Sequence, residues 1–99
     1  MATTAARKAD NLHRRLVKGF GQHDFGLVIM TWVDGEDIVI RVKADHAPAL
    51  NVHRFINAGI HGRDIYRIAS EAISKELSAE VDRRLEHQRW LVAATKASR

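Results

Sequence analysis

Phe25-Gly-Leu-Val-Ile-Met-Thr-Trp32 and Asp37-Ile-Val-Ile-Arg-Val-Lys43, separated by Val33-Asp34-Gly35-Glu36, carry the strongest structural signal in the chain. Both runs are rich in β-branched residues, and the Asp-Gly between them tolerates the positive φ of a tight hairpin. In the second run Ile38, Ile40 and Val42 alternate with Arg41 and Lys43. That period of two places one face in a core and the other in water. A lone hairpin is marginal in water, so the flanking segments must supply its cover.

Upstream, Ala5, Ala9, Leu12, Leu16 and Phe20 recur every three or four residues and predict an amphipathic helix. Thr3 or Thr4 can cap its start, and Gly19 and Gly21 end it. Arg7, Lys8, Asn11, Arg14, Arg15 and Lys18 fall on its other faces, either as an ordinary solvated surface or as a stripe facing phosphates. Downstream, Asp45-His46-Ala47-Pro48 reads as the start of a short helix. Leu50, Val52, Phe55 and Ile56 form its apolar face, and it closes at Gly59. After Gly59-Ile60-His61-Gly62 another helix begins, with Ile65, Ile68, Ala69, Ala72, Ile73 and Leu77 on one side.

The apolar rows continue through Val81, Leu85, Leu91 and Val92, and no Gly or Pro interrupts residues 63–99. A continuous helix there is about 50 Å long, more than a small core can cover. Residues 78–99 are therefore expected to project and to associate with a second copy or a protein partner through Val81, Leu85, Trp90 and Leu91. The alternative is a break near Ser78 or His87, with Arg89–Ala93 as a closing strand. The expected class is α+β in a single domain, 1–99: N-terminal helix, β-hairpin, short helix and long C-terminal helix.

Composition narrows the function. The 99 residues include 16 Lys and Arg, 12 Asp and Glu, and no cysteine. Absence of thiols removes disulfides and thiolate metal sites and suits a reducing compartment. No segment reads as a secretory signal or a membrane span, so a cytoplasmic location is expected. Positive charge concentrates at the amino-terminal end, where residues 1–24 hold five cations and two anions. Such a field favours polyanions.

Catalytic chemistry finds no support. His46 and His53 are too far apart along one helix to share an ion, and no histidine pair sits at four-residue spacing. Ser70, Ser74, Ser78 and Ser98 lie in helical or terminal contexts without a nucleophile elbow. Glu76 and Glu80 have Lys75, Arg83 and Arg84 as ready ion-pair partners. Neither an enzyme, a metal site nor a cofactor is expected.

The segment Ala58-Gly59-Ile60-His61-Gly62-Arg63-Asp64-Ile65-Tyr66-Arg67-Ile68 holds most content. Two glycines bound a short corner where backbone can be approached closely. The first amides of the next helix suit a phosphate, and Arg63 and Arg67 lie on its first turns. This corner resembles the Gly-x-x-Gly loop of KH nucleic-acid-binding domains, and the expected element order is similar to their prokaryotic (type II) arrangement. The resemblance implies that Gly59, Ile60, His61 and Gly62 clamp a single-stranded backbone in a groove made with the preceding helix and the second strand. It departs from the family at Ala58, where an Ile or Val is usual, and at Ile60, where the loop is usually basic or polar. The function expected is a non-catalytic module for RNA or single-stranded DNA, using that loop, Arg63, Arg67 and the Arg14, Arg15 and Lys18 stripe. The alternative is a protein-interaction role, as adaptor, inhibitor or assembly subunit of a phage or mobile element, acting through the long helix of a homodimer.

Overall fold

Thr3 opens the first helix by accepting a hydrogen bond from the Ala6 amide at its Oγ1, 3.0 Å away. The computed structural model describes residues 3–97. Helix α1 (Thr4–Phe20) buries Ala9, Leu12 and Leu16 along one stripe. It ends where the Gly21 amide donates to the Val17 carbonyl at 2.8 Å. A Cβ on Gly21 would lie 2.5 Å from that oxygen, so only glycine closes the helix this tightly.

The hairpin forms as its alternation predicts. Strand β1 (Leu27–Asp34) pairs antiparallel with β2 (Asp37–Ala44), with Asp34 opposite Asp37. Gly35 has φ +62 and Glu36 is not in the positive region, the pattern of a II′ turn. Ile38, Ile40 and Val42 are fully buried.

The short helix expected over residues 45–58 is instead a third strand, β3 (Asn51–Asn57), paired antiparallel to β2 with Ile38 opposite Ile56 and Val42 opposite Val52. Asp45 and Pro48 serve a turn, in which the Asp45 and His46 amides donate to Gly26 and Phe25 and the Leu50 amide donates to Ala47. Tertiary pairing outweighs the local capping signal here. A two-stranded hairpin leaves β2 with an unpaired edge, and β3 satisfies that row of amides and carbonyls. The sheet order is β1-β2-β3.

Helix α2 (Gly62–Ala97) runs unbroken for 36 residues, so no closing strand forms over Arg89–Ala93. The class is α+β, with a helix at either end and the sheet between them. Both helices pack on one side of the sheet, α1 over β1 and α2 over β3, and they touch each other. Ile65, Ala69 and Ile73 carry the α2 contribution to the core. Below Glu80 the helix loses its cover, and residues 81–93 are all exposed. The molecule measures 68 × 20 × 19 Å in consequence. No helix among the described residues is long and apolar enough to cross a membrane.

Candidate nucleic-acid interface

The glycine corner joins β3 to α2, and it lies on the surface. Gly59, His61, Gly62 and Arg63 are exposed, while Ile60 turns its side chain toward the core. His61 caps the helix: its carbonyl accepts from the Asp64 and Ile65 amides at 2.9 and 3.0 Å, and its Nδ1 accepts from the Arg63 amide at 3.2 Å. The Arg63 and Asp64 amides, two of the four that a helix start leaves without a partner in the helix, are thus satisfied inside the chain, which reduces what the helix end can offer to a phosphate. The His61 and Gly62 amides have no acceptor among the described residues. Neither Gly59 nor Gly62 adopts positive φ. A Cβ on Gly62 would meet nothing within 4 Å, so its backbone imposes no need for glycine.

The corner is held from the far end of the chain. Lys8 on α1 sends its Nζ to the carbonyls of Ala58, at 2.7 Å, and Ile60, at 3.0 Å. About one turn further along α1 stands Asn11, and about two turns further stand Arg14 and Arg15. The Arg15 guanidinium lies over the Tyr66 ring of α2, its carbon 3.9 Å from the ring centroid, an arrangement that both restrains the cation and keeps it at the surface. Between the helices opens a cleft of about 500 Å³, lined by Lys8, Asn11, Leu12, Arg14, Arg15, His61, Gly62, Arg63, Ile65 and Tyr66. Four cations and a histidine line it, and among the described residues no carboxylate does.

Of the residues expected at this site, the structure brings together Arg14, Arg15, His61, Gly62 and Arg63, while Gly59 and Ile60 do not line the cleft and Ile60 packs against the core. It separates two others. Lys18 sits by a different depression with Val17, Gly19, Gly21, Gln22 and His23. Arg67 turns along its own helix toward Asp64, at 3.9 Å, and Glu71, at 3.7 Å. The KH resemblance implied a helix ahead of the corner, but β3 stands there and α1 supplies the opposite wall of the cleft. Sequence reasoning placed Lys8 in the basic stripe of α1, as solvated surface or phosphate-facing, and did not connect it with the corner. Its partners lie 50 and 52 residues away, and nothing local signals them.

A second surface went unread. The sheet face away from the helices is bare, and Val28, Met30, Trp32 and Phe55 are exposed on it. Trp32, Val39 and Phe55 are cross-strand neighbours. Val39 is fully buried between them. The His53 ring lies 5.1 Å from Phe55 and 6.4 Å from Trp32. Arg41 threads the same face, and its Nε is buried without a hydrogen-bond partner. The signal was present in β1, where Val28, Met30 and Trp32 alternate with Leu27 and Ile29 and make both faces apolar.

On α2, Glu80 gathers two guanidinium groups. Glu80 accepts from Arg83 Nε at 2.9 Å and from Arg84 Nε at 3.2 Å. The Arg83 hydrogen bond holds the Glu80 carboxyl below the usual carboxylate range, with Arg84 adding to the effect against the opposing pull of desolvation. Arg84 also reaches the His46 carbonyl and covers the Phe25 ring at 4.2 Å. No cluster of three metal-ligating side chains exists among the described residues. No family model, curated protein or solved structure matches this chain.

Proposed function

We propose that this chain is a non-catalytic nucleic-acid-binding module that grips the phosphate backbone of a single strand in the α1–α2 cleft. One observation carries the reading: Lys8, Arg14, Arg15, His61 and Arg63, drawn from opposite ends of the sequence, line one cleft in which no carboxylate stands among the described residues. Side chains provide most of the attraction, because His61 already occupies the Arg63 and Asp64 amides. The Gly-x-x-Gly corner, the feature shared with KH domains, contributes through absence: with no Cβ at Gly62, a sugar-phosphate chain can lie against the first turn of α2. The lack of thiols suits a cytoplasmic setting.

Phosphate neutralisation releases counterions, and each contact to a single strand adds about 0.7 to the slope of log affinity against log salt. Fluorescence anisotropy with labelled single-stranded RNA and DNA, titrated at several salt concentrations, reads that slope. Arg63→Glu and Arg14→Glu are each expected to weaken binding and flatten the slope by roughly 0.7 or more. Lys18→Glu, away from the cleft, is expected to change little. Gly62→Ala is expected to leave the melting temperature unchanged or slightly raised while weakening binding. Salt-insensitive binding, or equal effects of Lys18→Glu and Arg63→Glu, would remove the cleft from the account.

A further inference from the structure

Independently of nucleic acid, the exposed half of α2 presents a continuous seam. Ser74, Ser78, Val81, Leu85, Gln88, Val92 and Thr95 follow one another in alternating steps of four and three residues, the spacing that keeps side chains on one line of a helix facing another helix. All seven are exposed. At about 100° per residue the seam lies roughly a third of a turn around from Ile65, Ala69 and Ile73, so a helix laid on it runs beside the domain without meeting the sheet. We propose that its occupant is a second copy of this chain, the two α2 helices pairing antiparallel about a two-fold axis that passes between residues 86 and 87.

Charge and size choose that register. It sets Val81 opposite Val92 of the second copy, Leu85 opposite Gln88 and Ser78 opposite Thr95, each layer occurring twice by symmetry. Along its edge Asp82 meets Arg89 of the second copy, also twice. Neither residue is in an ion pair among the described residues. The one like-charge approach, Lys75 with Lys96, falls at the outer ends, where solvent screens it. A parallel pairing would set Arg84 against Arg89 at its centre with no compensating contact. Sliding the antiparallel pair by one heptad brings Arg89 onto Arg89, or Asp82 onto Asp82. Small Ser74 and Ser78 leave room for the end of the other helix where it passes the domain. Leu91 flanks the seam. Trp90 points to the opposite side of the helix, where its ring stacks with His87 at 6.3 Å, and it takes no part in this contact.

The chain has no cysteine, so single engineered thiols report the geometry. A disulfide forms only between Cα atoms within about 7 Å. Full-length chains carrying Leu85→Cys and Gln88→Cys are oxidised separately and as an equimolar mixture. The expected result is a cross-linked dimer several-fold more abundant in the mixture than in either chain alone. Light scattering of the unmodified chain at about 100 μM is expected to give twice the chain mass. Leu85→Asp is expected to weaken self-association at least about tenfold, with its far-ultraviolet circular dichroism unchanged as a check of folding. Phe55→Lys on the bare sheet face and Arg63→Glu in the cleft should leave the mass as it was. A monomer at that concentration overturns the proposal. So does cross-linking of Leu85→Cys with itself as efficient as in the mixture, which marks a parallel pair, or dissociation by Phe55→Lys, which puts the interface on the sheet.

Discussion

The two halves of α2 have similar helix-forming sequences and opposite surroundings. From Ile65 to Glu80 the helix is anchored: Ile65, Ala69 and Ile73 lie in the core, and Glu80 is 7% exposed despite its charge. From Val81 to Ala93 every residue is exposed, with Leu85 46% and Trp90 65% exposed. The rows of apolar residues do not change character at this boundary. Helical periodicity thus states which residues can face a neighbour and is silent about whether the neighbour belongs to the same chain. The Glu80–Arg83–Arg84 cluster marks the transition, tying the last covered turn back to His46 and Phe25.

Substitutions at either side of that boundary sharpen the contrast. Ile73→Ala, in the covered half, should produce the largest effect, lowering the unfolding free energy in denaturant titration by about 2–5 kcal/mol through the cavity it leaves. A much smaller loss would mean that the anchored half is held less by packing than its burial implies. At the boundary the effect is one of pH. The folded carboxyl of Glu80 sits below its unfolded value, so the stability it contributes is present above the ordinary carboxylate range and lost as pH falls through the depressed value. Thermal melts from neutral to acidic pH should therefore lose less stability in Glu80→Gln than in the parent chain over that acidic interval. The smallest effect belongs to the tail. Removing residues 89–99 should change domain stability by no more than about 0.5 kcal/mol when measured at low, monomer-favouring concentration.

Most of the fold was legible because its signals are local. The II′ turn at Gly35, the alternation through Ile38, Ile40 and Val42, and the Thr3 cap each act within a few residues. The segment Asn51–Asn57 was misread for a definable reason. Leu50, Val52, Phe55 and Ile56 satisfy a helical spacing, Asp45 and Pro48 imitate a helix start, and Arg54 interrupts the inward row of a strand. Its partner β2 decides the matter, and that contact cannot be seen in the segment itself. The candidate site divides the same way. Arg14, Arg15 and Arg63 could be nominated from charge and position, whereas the exclusion of Arg67 depends on Asp64 and Glu71 turning it aside. Lys18 drops out because α1 carries it beyond the end of the cleft.

The strap formed by Lys8 has a chemical corollary. An ammonium offers three N–H groups and no acceptor, and the carbonyls of Ala58 and Ile60 take two of them. One donor remains, so the same nitrogen that fixes the loop can still greet an incoming anion without letting go. Methionine at position 8 would keep the stem and lose both duties. Arginine would keep the charge, but its N–H groups point in fixed directions within a plane at the end of a longer stem, so they would meet the two carbonyls at a different geometry and even this conservative replacement should slacken the loop.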